Sequence, residues 1–211
     1  MAVTVIFDAF GTLLKISEGV HPYRQLLKEG IRQGRRPQPD DLHVLMTQPL
    51  GLQQAADYFK IQVSPAHLDD LQHALDLELA RIEPFEDGLQ AVELLRREGV
   101  RIAVCSNLAM PYGEPVKRLY PNLDGYGLSF EIGAMKPDRS IYRETCALVG
   151  AELNMFSGSD LTLMIGDSAK CDRDGPRAAG IRGFLLSRSG SGDFESLVRF
   201  ARTVLQEIQV A

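Results

Sequence analysis

Asp8 is the first residue whose position suggests chemistry. It follows the apolar run 3–7 and precedes Gly11, so its carboxylate lies between the end of a predicted strand and a turn. Continuous apolar strands are typical of buried parallel sheets, and open α/β sheets bind ligands beyond the carboxyl ends of their strands. A carboxylate there could act as a nucleophile, although an isolated Asp before a Gly more often caps a turn.

Later parts of the chain carry other polar side chains of the kinds that phosphoryl transfer uses. They are Ser106 and Asn107 after the apolar run 101–105, Lys136 before a Pro, and Asp167 with Asp172 after the apolar run 161–166. Together with Asp8 these groups could converge on one anion. The acids suit Mg²⁺, which is usually held by one or two carboxylates plus substrate oxygens, and a lysine supplies a point charge for phosphate.

The spacing of apolar residues between the first and second strands is helical. The clearest helix is predicted at 65–81, where Ser64 is an N-cap, Pro65 takes the first helical position and leucines recur on one face. Other helices are predicted at 22–30, 39–47, 52–59 and 87–98. For the remainder we predict helices near 114–119, at 138–149, after Asp172 and from Asp193, with strands near 128–131, at 161–165 and at 182–186.

This order of elements predicts an α/β fold. Its core would be a Rossmann-like, doubly wound parallel sheet formed by residues 1–15 and 84–211, with residues 16–83 as a helical insertion.

Composition narrows the choice of partners. The 211 residues are 45% hydrophobic and 24% charged, with a formal net charge of −5, as in ordinary globular proteins. Acids and bases are interspersed. No stretch of about 18 apolar residues occurs, and no basic region precedes an apolar segment at the N-terminus, so we expect neither a spanning helix nor a signal peptide. We therefore expect a cytoplasmic protein with a small anionic substrate and with neither nucleic acid nor membrane as partner. The oligomeric state is left open.

The ordered set of motifs resembles the haloacid dehalogenase (HAD) superfamily of hydrolases, over nearly the whole chain. The matching segments are Asp8-Ala9-Phe10-Gly11-Thr12-Leu13, Ser106-Asn107, Lys136-Pro137-Asp138, and Gly166-Asp167 with Asp172. In that superfamily an insertion after the first motif is a helical cap over the site, which implies a cap role for residues 16–83.

The resemblance also implies a role for each residue. Asp8 would be the nucleophile, and Ser106 and Lys136 would be the other catalytic residues. The substrate would be contacted by Thr12, Asn107 and Phe10. Mg²⁺ would be held by Asp8, the Phe10 backbone carbonyl, Asp167 and, more remotely, Asp172. Two simpler interpretations stay open: Ser106 and Asn107 could cap the next segment, and Asp172 could be a first-turn helix acid.

Phe10 departs from the usual phosphatase pattern. Most phosphatases of the superfamily carry a second Asp at this position as general acid and base, and Phe cannot transfer a proton. Positioned acid–base catalysis is worth about 10²–10⁴-fold. An aromatic residue here instead resembles the 2-haloacid dehalogenases, whose first motif reads Asp-Ala-Tyr-Gly-Thr and whose halide leaves without protonation.

Asp167 favours the phosphatase interpretation. The dehalogenases resemble one another in having an uncharged residue at this position, and two close carboxylates without a cation would raise one pKa. We therefore rank an Mg²⁺-dependent phosphohydrolase of small phosphorylated metabolites first, and a 2-haloacid dehalogenase second. A catalytically weak binding or regulatory protein is the third hypothesis. If an acid is needed, His21 in the insertion is nearest to the site in sequence.

Overall fold

The computed structural model describes residues 2–151 and 160–210. Its strands are β1 (Ala2–Phe7), β2 (Leu14–Ile16), β3 (Ile82–Pro84), β4 (Arg101–Ser106), β5 (Gly125–Leu128), β6 (Asp160–Gly166) and β7 (Arg182–Leu185). Its α-helices are α1 (Pro22–Arg32), α2 (Asp41–Thr47), α3 (Leu52–Phe59), α4 (Pro65–Ala80), α5 (Glu86–Arg97), α6 (Gly113–Leu119), α7 (Ser129–Ile132), α8 (Arg139–Leu148), α9 (Gly175–Ala178) and α10 (Leu197–Val210). None of the described helices combines the length and apolar content needed to cross a bilayer.

Five strands form one parallel sheet in the order β5-β4-β1-β6-β7. β1 is central, and Phe7 at its end pairs with Val104 of β4 and Ile165 of β6. Strands added after β1 extend the sheet first on the β4 side and then on the β6 side, so the order reverses beside β1. Such a reversal opens a crevice at the carboxyl ends of the strands. The predicted α/β fold class is confirmed.

Both faces of the sheet are covered, which explains the continuous apolar run of β1. Val5 and Phe7 belong to a cluster that includes Phe200 of α10, whereas Ile6 points to the opposite face and clusters with Tyr142 of α8. All five side chains are fully buried. A strand buried on both faces needs apolar residues at consecutive positions.

Helices α1 to α4 lie where the helical spacing predicted them and share their own hydrophobic cluster. Its members include Leu26, Leu45, Phe59, Leu71 and Leu75. The antiparallel pair β2–β3, which the sequence pattern did not predict, connects this group to the sheet. The proposed boundaries at 15/16 and 83/84 fall inside that pair. The cap role of these helices stays a prediction.

The predicted strand near 128–131 is wrong, because the strand ends at Leu128 and residues 129–132 form α7. β5 contains Gly125 and Gly127, which have weak intrinsic strand preference. A Cβ on Gly127 would lie 1.9 Å from Thr145 Oγ1 of α8. Close packing of a helix therefore requires glycine in a strand that local preference would not predict.

Two other predicted positions need correction. The last helix begins at Leu197 and not at Asp193, because Asp193 Oδ2 accepts a hydrogen bond from Leu185 N–H (2.8 Å) at the end of β7. The helix predicted after Asp172 is the short α9, but Asp172 is not an acid of its first turn, because it lies within the preceding π-helical turn, Ala169–Asp174.

Candidate active site

Asp8 lies at the centre of the carboxyl edge of the sheet, directly after β1. It is 7% exposed, and its backbone N–H donates to the Ile165 carbonyl (3.0 Å). Oδ1 accepts hydrogen bonds from Ser106 Oγ (3.1 Å) and Lys136 Nζ (2.8 Å), and Oδ2 accepts one from Thr12 Oγ1 (3.2 Å). These three donors fix the carboxylate in one orientation, which is what a nucleophile requires.

Lys136 is buried beside two carboxylates. Its Nζ donates to Asp172 Oδ1 (2.6 Å) as well as to Asp8. Burial lowers the pKa of Lys136, but attraction to Asp8 and Asp172 outweighs that effect and holds the pKa above its ordinary value. The ammonium group therefore keeps its charge near neutral pH.

Asn107 fixes the backbone of Lys136. Asn107 Oδ1 accepts a hydrogen bond from Lys136 N–H (2.7 Å), and Asn107 Nδ2 donates to the Lys136 carbonyl (2.9 Å). Since α8 begins shortly after Lys136, this pair of bonds connects the end of β4 to the loop that carries the ammonium group. Both polar atoms of the amide are thus used inside the protein.

Asp8, Asp167 and Asp172 form an acidic cluster. One carboxylate oxygen of each lies within 4.8 Å of the other two. Burial raises the pKa of Asp172 to about 6 against the opposing effect of Lys136, and its Oδ2 accepts a hydrogen bond from Ser168 N–H (2.9 Å). Burial and then repulsion from Asp8 raise the pKa of Asp167. Burial, with repulsion from Asp8 as a smaller cause, therefore disfavours the charged forms of Asp167 and Asp172.

The negative charge of the acidic cluster is not balanced by the cations around it. Among the described residues, Lys136 is the only cation within ion-pair distance of the three carboxylates, and these four groups sum to −2. Three carboxylates suit a hard cation such as Mg²⁺. The Phe10 carbonyl, which accepts no hydrogen bond from any described residue, is a further oxygen donor.

Two glycines allow the acids to approach the backbone. A Cβ on Gly11, which has φ +85°, would lie 2.0 Å from Asp167 Oδ2, and a Cβ on Gly166 would lie 2.4 Å from Asp172 Cγ. No side chain fits at such distances. Glycine at both positions is therefore a condition for the acidic cluster to assemble.

A cleft of about 610 Å³ lies between the carboxyl edge of the sheet and the inserted helices, and we call it the apolar cleft. Its core wall includes Phe10, Asn107 and Tyr112, and its other wall comes from α1, α2 and Glu78 of α4. Most lining side chains are aliphatic or aromatic. Phe10 packs edge-on against Tyr112, with ring centroids 6.0 Å apart.

Glu78 connects the two walls of the apolar cleft. It is 1% exposed and accepts hydrogen bonds from the Tyr112 hydroxyl (2.5 Å), from His21 N–H (2.7 Å) and from Val20 N–H. Burial and then the bond to Glu78 raise the pKa of Tyr112. The tyrosine therefore stays protonated and serves as a donor to the carboxylate.

Most of the predicted site residues lie together. Those at the acidic cluster are Asp8, Thr12, Ser106, Lys136, Asp167 and Asp172. The other two, Phe10 and Asn107, line the apolar cleft. The role assigned to each stays a prediction, and a substrate contact by Asn107 would compete with its two bonds to Lys136.

Sequence reasoning missed residues that position the site. Glu78 could have been found, because it follows Leu71 and Leu75 on the buried face of α4, where a carboxylate needs partners. Arg188 gave no local signal: its guanidinium donates to the Thr12 carbonyl (3.1 Å), 176 residues away in the chain. Such a contact supports the loop after β1 from the far end of the sequence.

Comparison with known proteins gives one family and a set of similar folds. The family model of the haloacid dehalogenase-like hydrolases matches residues 3–180. No curated protein matches the sequence.

Solved structures include both phosphatases and dehalogenases. The chain is similar to a HAD phosphatase from Thermococcus onnurineus, with 18% identity, TM-score 0.66 and coverage of 97% of this chain and 98% of that one. It is similar to a 2-haloacid dehalogenase from Pseudomonas syringae pv. Tomato DC3000, with 13% identity, TM-score 0.66 and coverage of 98% and 99%. It is also similar to an L-2-haloacid dehalogenase from Xanthobacter autotrophicus with chloropropionic acid covalently bound, with 17% identity, TM-score 0.59 and coverage of 97% of this chain and 99% of that one. These similarities show the fold and do not separate the two activities.

Proposed function

The chain belongs to the family of haloacid dehalogenase-like hydrolases, and on that premise we propose that it is an Mg²⁺-dependent phosphohydrolase acting on a small phosphorylated metabolite. The observation that carries this proposal is the acidic cluster. Three carboxylate oxygens within 4.8 Å share one ammonium group, and repulsion among them favours a cation. With a divalent ion in place, the charge of the cluster is balanced.

Asp8 would carry the phosphoryl group between two displacements. In the first, a carboxylate oxygen of Asp8 attacks phosphorus, the bond from phosphorus to the leaving oxygen breaks, and an aspartyl phosphate forms. In the second, water attacks that phosphorus and releases inorganic phosphate and the Asp8 carboxylate. Lys136 would neutralise charge on the phosphoryl oxygens, and the Ser106 hydroxyl would turn from Asp8 to donate to one of them.

Asp8, Asp167, Asp172 and the Phe10 carbonyl are the groups that would hold the metal. When bound, Mg²⁺ reduces the repulsion between the Asp8 carboxylate and the phosphoryl group. Asp172 has a second task, because its other contacts, to Lys136 Nζ and to Ser168 N–H, hold the ammonium group beside Asp8. The protein thus places nucleophile and counter-charge before substrate enters.

The leaving group would depart without a proton from the residue two positions after the nucleophile. Phe10 has no proton to give, and its neighbour Tyr112 donates to Glu78 and has a raised pKa. We therefore expect substrates whose leaving groups are stable as anions, such as aryl or acyl phosphates.

The test is phosphate release from 4-nitrophenyl phosphate and acetyl phosphate, each with Mg²⁺ and with excess EDTA. Turnover with Mg²⁺ that is lost in EDTA is the expected result. Failure to hydrolyse any ester under either condition would contradict the proposal. If the protein also failed to act on 2-haloacids, a binding or regulatory role would become the better explanation.

A second candidate is a 2-haloacid dehalogenase, favoured by Phe10 and by the apolar lining of the cleft beside it. In that reaction Asp8 would displace halide from carbon, and water would then hydrolyse the resulting ester. Chloride release from 2-chloropropionate in excess EDTA, with no phosphatase activity, would place this function first.

A further inference from the structure

Besides two tyrosines, four polar side chains line the apolar cleft, and two of these four are already engaged. The Asn107 amide is bonded to the backbone of Lys136, and the Glu78 carboxylate accepts from the Tyr112 hydroxyl and two backbone N–H groups. The side chains of His21 and Arg24 make no hydrogen bond or ion pair with any described residue. Among the described residues that line the cleft, Arg24 is therefore the one permanent cation, and its exposed guanidinium has no counter-ion.

The position of Arg24 is set by the packing of its helix. Arg24 lies in the first turn of α1, where Pro22, Tyr23 and Leu26 are buried. The Tyr23 hydroxyl donates to the Leu50 carbonyl (2.7 Å) and ties this turn to the segment before α3. With its neighbours fixed, Arg24 lines the wall of the cleft supplied by the insertion, whereas Phe10 and Asn107 belong to the core wall.

The rest of the lining excludes a strongly hydrated leaving group. Aliphatic side chains from two helices, including Leu27 of α1 and Leu45 and Met46 of α2, share the cleft with the Phe10 and Tyr112 rings. The hydroxyl groups of a sugar would lose water there without gaining partners, which is unfavourable. An aromatic or branched aliphatic group would bury its surface without that loss.

We propose, on the basis of the phosphohydrolase function above, that the substrate is a phosphate ester with an apolar leaving group that carries a second anionic group, and that Arg24 recognises this group. The phosphoryl group would lie at Asp8, and the apolar body would pack against Phe10. A guanidinium group binds carboxylate and phosphate oxygens through paired N–H donors. Arg24 is thus a specificity-determining residue for the organic part of the substrate.

Two esters of nearly the same shape, one with an anionic and one with a neutral para group, test this inference when their rates are compared between wild type and variants. They are 4-carboxyphenyl phosphate and 4-carbamoylphenyl phosphate, assayed with Mg²⁺ on wild type, Arg24→Met and Lys28→Met. Lys28 is a matched control, because it is an exposed cation one turn later on α1 and does not line the cleft. We expect wild type to prefer the carboxylate by about tenfold in kcat/KM, mainly through KM. Arg24→Met should bring the ratio close to one, and Lys28→Met should keep it.

The same ratio of the two rates in wild type and in Arg24→Met would overturn the role of Arg24. Loss of the preference for the carboxylate ester in both Arg24→Met and Lys28→Met would also overturn it, because that result indicates general electrostatic attraction and not a specific contact. Faster hydrolysis of glucose 6-phosphate than of either aryl ester would overturn the apolar leaving group.

Binding separates this inference from the proposed function. If neither ester is hydrolysed with Mg²⁺, the phosphohydrolase function fails. Calorimetry of the two esters on Asp8→Asn still decides the inference, with and without Arg24→Met in the same chain. Tighter binding of the carboxylate that depends on Arg24 supports it, and equal binding refutes it.

Discussion

Asp8 and Glu78 are both buried carboxylates, but their partners differ in kind. Asp8 accepts from two hydroxyls and the Lys136 ammonium group, and two other carboxylates lie within 4.8 Å. Glu78 accepts only from neutral donors, namely the Tyr112 hydroxyl and two backbone N–H groups. The first site belongs to the sheet, and the second joins the inserted helices to the core.

The difference separates a site that needs a ligand from one that does not. Glu78 has three donors and no close carboxylate among its described partners, so its hydrogen bonds are complete within the protein. The acidic cluster has more negative charge than Lys136 balances, and the pKa of Asp167 and that of Asp172 are raised. Perturbed carboxyl groups at a sheet crevice are candidates for function, whereas Glu78 is a structural link.

The same isosteric change at the two sites should have very different effects on rate. Asp8→Asn should lower kcat by at least about 10³-fold, because an amide of the same shape is a poor nucleophile. Glu78→Gln should lower it by less than about tenfold. Phosphate release from 4-nitrophenyl phosphate measures both, and circular dichroism checks the fold. Activity of Asp8→Asn within a few-fold of wild type would refute the nucleophile assignment.

Removing one carboxylate from the acidic cluster should weaken the response to metal. For Asp167→Asn we expect about 10²-fold lower activity and a higher Mg²⁺ concentration for half-maximal rate. Asp174→Asn is the matched control, since Asp174 is exposed and pairs with Arg173. A Mg²⁺ titration of kcat compares the variants. Unchanged metal dependence in Asp167→Asn would contradict the assignment of a ligand.

Phe10→Asp should supply a general acid two positions after the nucleophile. In wild type the rate should fall steeply as the pKa of the leaving group rises, because the leaving group departs as an anion. The substitution should flatten this dependence and raise the rate of poor leaving groups by up to about 10²-fold, if the carboxyl group is well placed. A series of phosphate esters measures the slope. A flat slope in wild type would instead indicate another proton donor, with His21 the first to test.

The hydrogen bonds that Glu78 accepts from neutral donors should contribute to stability more than to rate. Tyr112→Phe removes the hydroxyl that donates to this carboxylate and should lower the free energy of unfolding by about 1–3 kcal/mol. Tyr126→Phe is a control in the sheet, where the hydroxyl donates to the Tyr120 carbonyl (2.6 Å) and no carboxylate is involved. Urea unfolding measures both. A larger loss of unfolding free energy in Tyr126→Phe than in Tyr112→Phe would contradict a special role of the Glu78 carboxylate as acceptor.

Mg²⁺ and protons should compete for the carboxylates of the acidic cluster. A carboxyl group with a raised pKa binds its proton more tightly in the folded state, so the contribution of Asp172 to the stability of the metal-free protein should fall as pH rises from about 4 to about 6. Mg²⁺ should therefore raise Tm by a few degrees more at pH 7.5 than at pH 5. Thermal unfolding in Mg²⁺ and in EDTA measures the difference. An equal shift at both pH values would indicate binding elsewhere.

Local patterns account for the parts of the fold that depend on neighbouring residues. The run before Asp8 predicted a strand buried on both faces, and Ser64 with Pro65 predicted the start of α4. The strand predicted near 128–131 lies instead at Gly125–Leu128, because Gly125 and Gly127 leave room for α8 to pack, a requirement that comes from another element. The pair β2–β3 escaped prediction because each strand has only three residues.

The family and the fold class follow from residue types in a fixed order, because each polar motif lies where an apolar strand ends. Assembly of the site depends on contacts between residues far apart in the chain. The Asn107 amide clamps Lys136, Arg188 supports the loop at Thr12, and Glu78 joins α4 to Tyr112. Which partner each of these side chains finds is set by how helices and strands pack, and local spacing does not contain that information. That Arg24 lies in the apolar cleft could likewise be recognised only from the packed structure, in which the Glu78 and Asn107 side chains there are bonded to other groups.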